Sequence, residues 1–183
     1  MNITKITSSY RCKLIIQAYK KYLKKDCRVL DVGSGNGIIT KLLMDRFSIK
    51  VIGSDVKNYL IYDIPFIEIN GKELPFSNNE FDVVMLNDVL HHIPYHDQEK
   101  LISESARVAK RVLIFEAKPT ILGKITDIIL NKYHYGDLNV PLSFRNIENW
   151  QKLFKKLYLK SKVTELKKPF WYPFSHISSE LQK

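Results

Sequence analysis

The sequence has little cysteine and no long apolar run, and each absence excludes a class of protein. Two cysteines, Cys12 and Cys27, are too few among 183 residues for a disulfide framework, so we expect a reducing, cytoplasmic location. No stretch approaches the roughly 18 apolar residues of a membrane span, and residues 1–9 lack the apolar run of a secretory signal. The 45% of hydrophobic residues suffices for one packed domain over residues 1–183.

Acidic residues are also scarce, and the excess positive charge lies near both ends of the sequence. Residues 1–28 hold eight basic residues and one acid, and residues 144–183 hold nine and three, so the middle carries −3 of the net +10. Such ends could attract RNA, anionic lipid or an acidic substrate. Because lysine outnumbers arginine, and asparagine and isoleucine are abundant, we interpret them as a solvated surface without a dedicated partner, and nucleic-acid binding is the alternative.

Apolar strands alternate with amphipathic helices in the first two thirds of the sequence. Strands buried on both faces produce nearly continuous apolar runs, so the alternation predicts a parallel sheet with right-handed crossovers. The predicted strands are 28–32, 50–54, 67–69, 81–86 and 111–115, and the predicted helices are 8–24, 36–47 with Ile38 on its buried face, and a helix from an Asp97 cap to 109.

The last third of the sequence has a different pattern. Thr120 can cap a helix to about residue 130, and Asn146 can cap another. Two strands follow, 161–166 and 176–181, and their closeness in sequence predicts antiparallel pairing. The expected fold is therefore α/β, with five parallel strands, an antiparallel C-terminal hairpin and helices on both faces. Too few residues separate Asp55 from Ile67 for a full crossover helix, so that helix should be missing or a single turn.

A glycine-rich turn joins the first strand to the next helix and is the sharpest motif in the sequence. The run Val29-Leu30-Asp31-Val32-Gly33-Ser34-Gly35-Asn36-Gly37 places glycines where the backbone must approach a ligand without an intervening Cβ. The N–H groups at the start of the helix can then meet an anion. These features predict a nucleotide cofactor.

The same turn distinguishes two cofactors. A dinucleotide site has the pattern G-x-G-x-x-G, but Ile38 occupies the position of its third glycine. Asp31, just before the turn, can pair with the methionyl ammonium of S-adenosylmethionine (SAM), whose carboxylate would meet the helix start. Asp55 ends the second strand, where a carboxylate accepts hydrogen bonds from ribose hydroxyls; a turn or cap role is the alternative. The sequence therefore favours SAM over a dinucleotide.

Further motifs follow in a fixed order. Asn70-Gly71-Lys72-Glu73-Leu74-Pro75-Phe76 precedes Phe81-Asp82-Val83-Val84, and Val89-Leu90-His91-His92 comes next. With the glycine turn and Asp55, these motifs resemble the class I SAM-dependent methyltransferases, in particular the type 11, ubiquinone-biosynthesis-like branch that acts on small molecules. The resemblance covers residues 28–115. It implies a single Rossmann-like domain, with an N-terminal helix in 1–27, a SAM-binding core in 28–116, and a lid segment and hairpin in 117–183.

The resemblance also implies roles for individual residues. The turn residues would surround the methionyl part, Asp55 would hold the ribose, and Asn70 would contact the adenine amino group. The Gly71 N–H would meet an adenine ring nitrogen, Val56 would pack on adenine, and Asn87 would lie beneath the methionyl part. Tyr10 and Arg11 could reach the carboxylate. The full set of implied SAM contacts is Arg11, Asp31, Gly33, Gly35, Asn36, Gly37, Asp55, Val56, Asn70, Gly71 and Asn87.

Candidate residues for the acceptor side follow the fourth and fifth strands, where ligands of open α/β sheets bind. Asp88, His91 and His92 are the catalytic candidates, and one of the two histidines could be a general base near neutral pH while the other packs. Glu116 should line the same side, and the segment 121–145 should form a lid that contains Tyr133, His134, Tyr135 and Asp137. We expect no metal, because no carboxylate-rich set accompanies the paired histidines.

Three functions agree with these features. The first is transfer of a methyl group from SAM to an O, N or C nucleophile of a small molecule. The second is methylation of tRNA, rRNA or protein with help from the basic ends, although no N-P-P-Y motif follows the fourth strand, where Asn87 precedes Asp88. The third is a non-catalytic SAM-binding subunit. The oligomeric state has no signal in the sequence.

Overall fold

The computed structural model describes residues 3–120, 123, 125, 129, 141–172 and 174–183, with side chains from residue 9 onward. Within these residues no helix is both long and apolar enough to cross a membrane. The elements are α1 (Ile3–Tyr19), β1 (Arg28–Val32), α2 (Ile38–Phe47), β2 (Lys50–Asp55), β3 (Phe66–Glu68), β4 (Val83–Asn87), a 3-10 helix (Leu90–His92), α3 (Tyr95–Val108), β5 (Val112–Ala117), α4 (Ile147–Lys156), β6 (Lys160–Glu165) and β7 (His176–Gln182).

In the described part of the chain, seven strands form a mixed sheet in the order β3-β2-β1-β4-β5-β7-β6. The first five strands of this order are parallel to one another. The C-terminal strand β7 is antiparallel to both β5 and β6 and lies between them. The predicted fold is therefore confirmed: a parallel α/β sheet with an antiparallel C-terminal hairpin.

Both faces of the sheet are covered, which explains the nearly continuous apolar strands. Neighbouring residues of one strand point into different clusters: Leu30 packs with α3 and α4, whereas Val29 packs with α1 and α2. Asn146 caps α4, which carries Trp150. Trp150 is fully buried in the first cluster, and Tyr19 is fully buried in the second. Burial on both faces makes the strands rigid supports for the loops at their ends.

Three local expectations are wrong. The first helix ends at Tyr19, not at residue 24, because the chain turns there and Tyr22 OH donates to Glu180 Oε2 at 3.2 Å. Asp97 lies in the first turn of α3, after the cap residue Pro94, so it does not cap the helix. Ile38 is 42% exposed. It is the first residue of α2, so its side chain lies beyond the end of the sheet and does not pack on the face of the sheet.

No helix connects β2 to β3, as the short spacing predicted. Residues 56–65 form an irregular connection instead, and the Ile61 N–H donates to Asn36 O at 3.2 Å. The Leu60 side chain of this connection lies against Gly37. The connection therefore closes around the glycine turn where other folds of this kind would place a helix.

Candidate cofactor and acceptor site

The glycine turn accepts no side chain at two of its positions. Gly33 has a φ of 73°, and a Cβ there would lie 2.3 Å from Val89 Cγ2. Gly37 has a φ of 76°, and a Cβ there would lie 2.7 Å from Leu60 Cδ2. Left-handed backbone and close packing both require glycine. The turn is thus pressed against the segments that follow β4 and β2.

Hydrogen bonds fasten the turn to the end of β2. The N–H groups of Gly33 and Ser34 both donate to Ser54 O, at 2.8 and 3.1 Å. The Gly35 N–H donates to Asp55 Oδ2 at 3.0 Å. The two strand ends that the sequence assigned to one cofactor are therefore joined directly, through the carboxylate of Asp55.

The start of α2 has fewer free donors than the sequence analysis expected. Asn36 Oδ1 accepts from the Ile38 N–H at 3.2 Å, and the Gly37 N–H donates to Ser34 O at 3.0 Å. A ligand carboxylate at this helix start would therefore need a side-chain cation as well. Arg11 of α1 is close enough to act on Asp31: burial raises the pKa of Asp31, and the charge of Arg11 opposes that shift.

Asp31 lies buried in the centre of the site. Its Oδ2 accepts from Thr40 Oγ1 at 2.5 Å, and its Oδ1 accepts from Asn87 Nδ2 at 3.3 Å. Burial raises the pKa of Asp31 to about 6, although the hydrogen bonds from Thr40 and Asn87 act in the opposite direction. Burial makes the ionised form of Asp31 costly, so a cation that binds beside it would be strongly favoured.

Tyr19 fixes the orientation of Asn87. The buried Tyr19 OH donates to Asn87 Oδ1 at 2.8 Å, so the amide must direct its Nδ2 group to Asp31. Burial raises the pKa of Tyr19, so its hydroxyl remains a donor. Sequence reasoning missed Tyr19 and Thr40, because both look like ordinary residues of amphipathic helices.

Asp55 has the turn role that its position suggested as an alternative, and the ribose role stays a prediction. Its carboxylate accepts from the N–H groups of Gly35 and Val56, at 3.0 and 2.8 Å, and burial raises its pKa. A carboxylate has about four acceptor positions, so these two bonds leave capacity for two hydroxyls. Val56, the next residue, is 55% exposed, and this apolar side chain is available to a planar ligand.

Asn70 is placed differently from the expectation. Its Oδ1 accepts from the N–H groups of Lys72 and Glu73, both at 2.9 Å, so the oxygen expected at an adenine amino group holds a turn together. Gly71 follows with a φ of 75°, and a Cβ there would lie 3.4 Å from Val56 Cγ1. The structure thus brings Gly71 and Val56 together, with Asn70 as the residue that shapes the turn.

The acceptor candidates begin directly after β4. Asp88 has a φ of 51°, and its N–H donates to Phe115 O at 2.7 Å, which fixes it beside the end of β5. Its Oδ2 lies 3.1 Å from Arg11 Nε, and its Oδ1 lies 3.7 Å from His176 Nε2. Asp88 is therefore part of a charged pair at the mouth of the site.

His91 is oriented by a buried carboxylate. Its Nδ1 lies 2.6 Å from Glu116 Oε2, and Glu116 Oε1 accepts from the Leu90 N–H at 2.6 Å. Burial raises the pKa of Glu116, and the neighbouring His91 acts against that shift. Glu116 was expected to line the acceptor side, but it is fully buried and supports His91 from beneath.

Aromatic rings enclose His91. The Phe144 ring stacks on it at 4.5 Å between centroids and 13° between planes, and His92 lies at 4.0 Å. The Ser143 N–H also donates to His91 O at 2.7 Å. The end of the expected lid therefore contacts the histidine pair. Most of that lid lies outside the described residues, including Tyr133, His134, Tyr135 and Asp137.

His176, at the start of β7, was missed by sequence reasoning. It pairs with Ala117 at the end of β5, and its ring stacks on Phe115 at 4.4 Å and on Tyr172 at 5.7 Å. Burial, followed by the charge of Arg11, lowers the pKa of His176 to about 3, so the ring is neutral. A strand more than 140 residues from β1 completes the site, and only the strand order could have revealed it.

Asp88, His91 and Glu116 place possible metal ligands within 4.8 Å of one another. Arg11 already neutralises Asp88, and both oxygens of Glu116 hold hydrogen bonds. We assign no metal to this cluster, so the absence of a metal stays a prediction.

A separate depression of about 510 Å³ lies beside Asn70. The side chains of Glu73, Lys100, Glu104 and Arg107 line it, whereas Asp88, His91 and Glu116 do not.

The comparisons with known proteins agree with this geometry. The model of the type 11 family, described as “Methyltransferase domain”, matches residues 30–114. An uncharacterised protein of Methanocaldococcus jannaschii is 30% identical over 169 residues, which span 81% of this chain and 78% of that protein. A ribosomal protein L11 methyltransferase of Dictyoglomus thermophilum is 28% identical over 152 residues (75% of this chain). A ubiquinone/menaquinone biosynthesis C-methyltransferase of Vibrio campbellii is 28% identical over 119 residues (55% of this chain).

The chain spans less than half the length of these two methyltransferases, 46% and 45%. Solved structures have the same fold. A Haloferax volcanii methyltransferase in complex with the Trm112 activator has a TM-score of 0.73 at 14% identity, covering 97% of this chain and 92% of that chain. The phosphoethanolamine N-methyltransferase 2 of Haemonchus contortus, solved with SAM, has a TM-score of 0.69 at 16% identity, covering 96% and 52%.

The motifs, the strand order and the relatives lead to one conclusion. The glycine turn and Asp55 lie at the strand ends where such folds bind a nucleoside, and the family match covers both. Two close approaches to the turn, at Gly33 and Gly37, and the exposed apolar Val56 fit the cofactor. The chain therefore belongs to the type 11 family of class I methyltransferases, and it is an enzyme that uses S-adenosylmethionine as methyl donor.

Proposed function

We propose that this methyltransferase acts on an O, N or C nucleophile of a small-molecule acceptor. Two ionisable contacts beside the end of β4 carry the proposal: Asp88 with the partly exposed Arg11, and His91 with Glu116, which are both buried. Aromatic rings border them, and the lid segment reaches His91. A confined polar site with aromatic walls suits a small acceptor better than a folded macromolecule.

We assign the cofactor contacts from the same geometry. Asp31 faces the methionyl ammonium, Arg11 assists the carboxylate, and Asp55 accepts from the ribose hydroxyls. Val56 and the Gly71 N–H take the adenine, and Asn70 holds their turn in place instead of reading the amino group. The remaining assigned contacts are Gly33, Gly35, Asn36, Gly37 and Asn87, which shape the methionyl end.

Little further chemistry is required of the protein. The sulfonium of SAM makes the methyl group electrophilic, so the chain must align the acceptor and exclude water. A general base is needed only when the nucleophile arrives protonated. In that case His91 is the candidate, because Glu116 fixes its ring orientation, while Asp88 and His92 orient the acceptor.

Two relatives support the small-molecule assignment by their names, the ubiquinone/menaquinone biosynthesis C-methyltransferase and the phosphoethanolamine N-methyltransferase. A second candidate function is protein methylation. The ribosomal protein L11 methyltransferase matches a larger share of this chain, 75% against 55% for the quinone enzyme. The structural neighbour bound to Trm112 also makes a protein activator a candidate partner.

The test follows a labelled methyl group. A cell extract is incubated with the enzyme and methyl-labelled SAM, and is then separated into small molecules, organic-soluble material, protein and RNA. Label in one of the first two fractions, and its absence with Asp31→Asn, supports the proposal. Label in ribosomal protein or in RNA would overturn it in favour of the second class of acceptor.

A further inference from the structure

A short segment before β7 exposes aromatic rings that the methyltransferase site does not use. We call residues 167–172 the aromatic loop. Within it Phe170 is 98% exposed and Trp171 is 46% exposed. A fully exposed phenylalanine loses the free energy that burial of its ring would provide. Two exposed aromatic residues side by side therefore indicate an interaction surface.

The aromatic loop stands at the same edge of the sheet as the cofactor and acceptor site. β7 begins at His176, which pairs with Ala117, the last residue of β5. The Leu166 N–H, just before the loop, donates to His176 O at 3.0 Å. Parallel strands carry their ligands at this edge, so the exposed rings lie beside the mouth of the site.

The loop is held in position by contacts on its inner side. Tyr10 of α1 packs edge-on against Trp171 at 5.1 Å and against Tyr172 at 4.9 Å, between ring centroids. Lys168 Nζ donates to Tyr172 O at 2.7 Å. These contacts anchor the base of the loop, and Phe170 projects outward from it.

The charge beside the exposed ring is positive. The loop contains Lys167 and Lys168 and no acidic residue. Lys167 is exposed, and the nearby carboxylates of Asp88 and Glu165 are already paired with Arg11 and Lys118. Within the described part of the chain, the surface therefore offers apolar rings together with a positive charge that no carboxylate pairs.

We propose that the aromatic loop docks onto an anionic lipid bilayer. Phe170 enters the boundary between headgroups and acyl chains, Trp171 lies at the level of the headgroups, and Lys167 meets lipid phosphates. This combination of apolar and aromatic side chains with lysine is what interfacial anchors present. A single-stranded RNA site would instead need a track of cations and open ring faces, but the Trp171 ring packs against Tyr10.

The test uses the full chain and vesicles of phosphatidylcholine in which about a third of the lipid is phosphatidylglycerol. Co-sedimentation measures binding, and Phe170→Ser should weaken it about five- to tenfold, because the ring supplies most of the buried apolar area. Tyr158→Ser is the matched control, since Tyr158 is 93% exposed at the opposite edge of the sheet. Lys167→Gln against Lys160→Gln gives the same comparison for charge.

Intrinsic fluorescence gives an independent readout. The chain has two tryptophans, and Trp150 is only 1% exposed, so quenching by brominated lipid reports on Trp171. We expect quenching with anionic vesicles and much less with phosphatidylcholine alone. The proposal is overturned if vesicles neither bind nor quench, if Phe170→Ser and Tyr158→Ser behave alike, or if Phe170→Ser instead abolishes binding to a single-stranded RNA. None of these outcomes depends on which acceptor is methylated.

Discussion

Asp31 is ionised at neutral pH only at a cost, and a bound ammonium would remove that cost. Its pKa is about 6 in the cofactor-free chain, and SAM favours the ionised form. The affinity for SAM should therefore fall as the pH drops through this value, by about tenfold for each further pH unit. Calorimetry over about pH 5 to 8 measures this fall.

Asp31→Asn is the matched variant for that prediction. It should bind SAM more weakly, by about 1.5–3 kcal/mol at neutral pH, with a much flatter pH profile. A raised carboxyl pKa stabilises the fold at low pH, and that stabilisation is lost as the pH rises through about 6. The variant should therefore gain up to about 3 kcal/mol of unfolding free energy at neutral pH. A less stable variant with unchanged SAM affinity would contradict both parts.

Asp55→Ala tests the ribose assignment. Loss of a charged acceptor in a partly buried site should cost about 1.5–3 kcal/mol of SAM affinity. The Gly35 N–H also loses its partner, so part of the loss reflects the glycine turn. Asp45→Ala is the control, because Asp45 is an exposed acid of the adjacent helix. Unchanged affinity in a folded Asp55 variant would leave this residue with the turn role alone.

Glu116→Gln tests how His91 is positioned. The amide keeps the size of the side chain but cannot provide the same charge to the imidazole Nδ1. If His91 is the base, turnover should fall about 10²-fold or more, and the pH profile of kcat should shift. SAM affinity should stay within a few-fold, because neither residue contacts the assigned cofactor side. Full turnover with an unshifted profile would remove the pair from catalysis.

Residue-level prediction placed side chains correctly where one local pattern determines the position, while their cofactor roles stay predictions. The glycines, Asp31 and Asp55 were all found at the strand ends that the structure joins. Glu116 was misplaced because its burial decides its role, and His176 was missed because strand order brings it to the site. Neither burial nor strand order is local in sequence. The same limit applies to the occupied oxygen of Asn70, which depends on a turn three residues long.

At the scale of elements, the glycine turn requires both a left-handed backbone and space. Gly33→Ala would bring a Cβ to 2.3 Å from Val89 Cγ2 at a φ of 73°, whereas Gly71→Ala has a similar φ and meets its nearest atom at 3.4 Å. Strain alone should cost about 1 kcal/mol at Gly71, and Gly33→Ala should cost at least about 2 kcal/mol more through the clash. Denaturant unfolding of both variants measures their losses of unfolding free energy, and the difference between them is the packing contribution. Equal losses would show that the clash at Gly33 contributes nothing.

The existence of the elements was easier to predict than their ends. Every predicted strand is present, because alternating apolar runs and charged loops define them. The first helix ends early because Tyr22 turns back to Glu180, a contact 158 residues away. Ile38 was expected inside because helical periodicity alone ignores the open edge at which α2 begins.

At the scale of the whole molecule, the basic ends do not form one surface. Lys20, Lys21, Lys24 and Lys25 lie before β1, at the edge opposite the active site, whereas Lys167 lies beside its mouth. We expect only weak, nonspecific RNA binding at physiological salt, lost steeply as salt is added. Fluorescence anisotropy with tRNA and duplex RNA, repeated with Gln at those four lysines, measures it. Submicromolar, sequence-selective binding would contradict this expectation.

The strand order has a consequence for how the chain is made. Among the described strands β6 pairs only with β7, which is synthesised after it and also pairs with β5. During synthesis the edge of β5 therefore stays open, with unpaired backbone that could recruit another chain. His176 reaches Asp88 only once that gap closes, so a nascent or truncated chain can hold the glycine turn correctly and still lack a finished acceptor site.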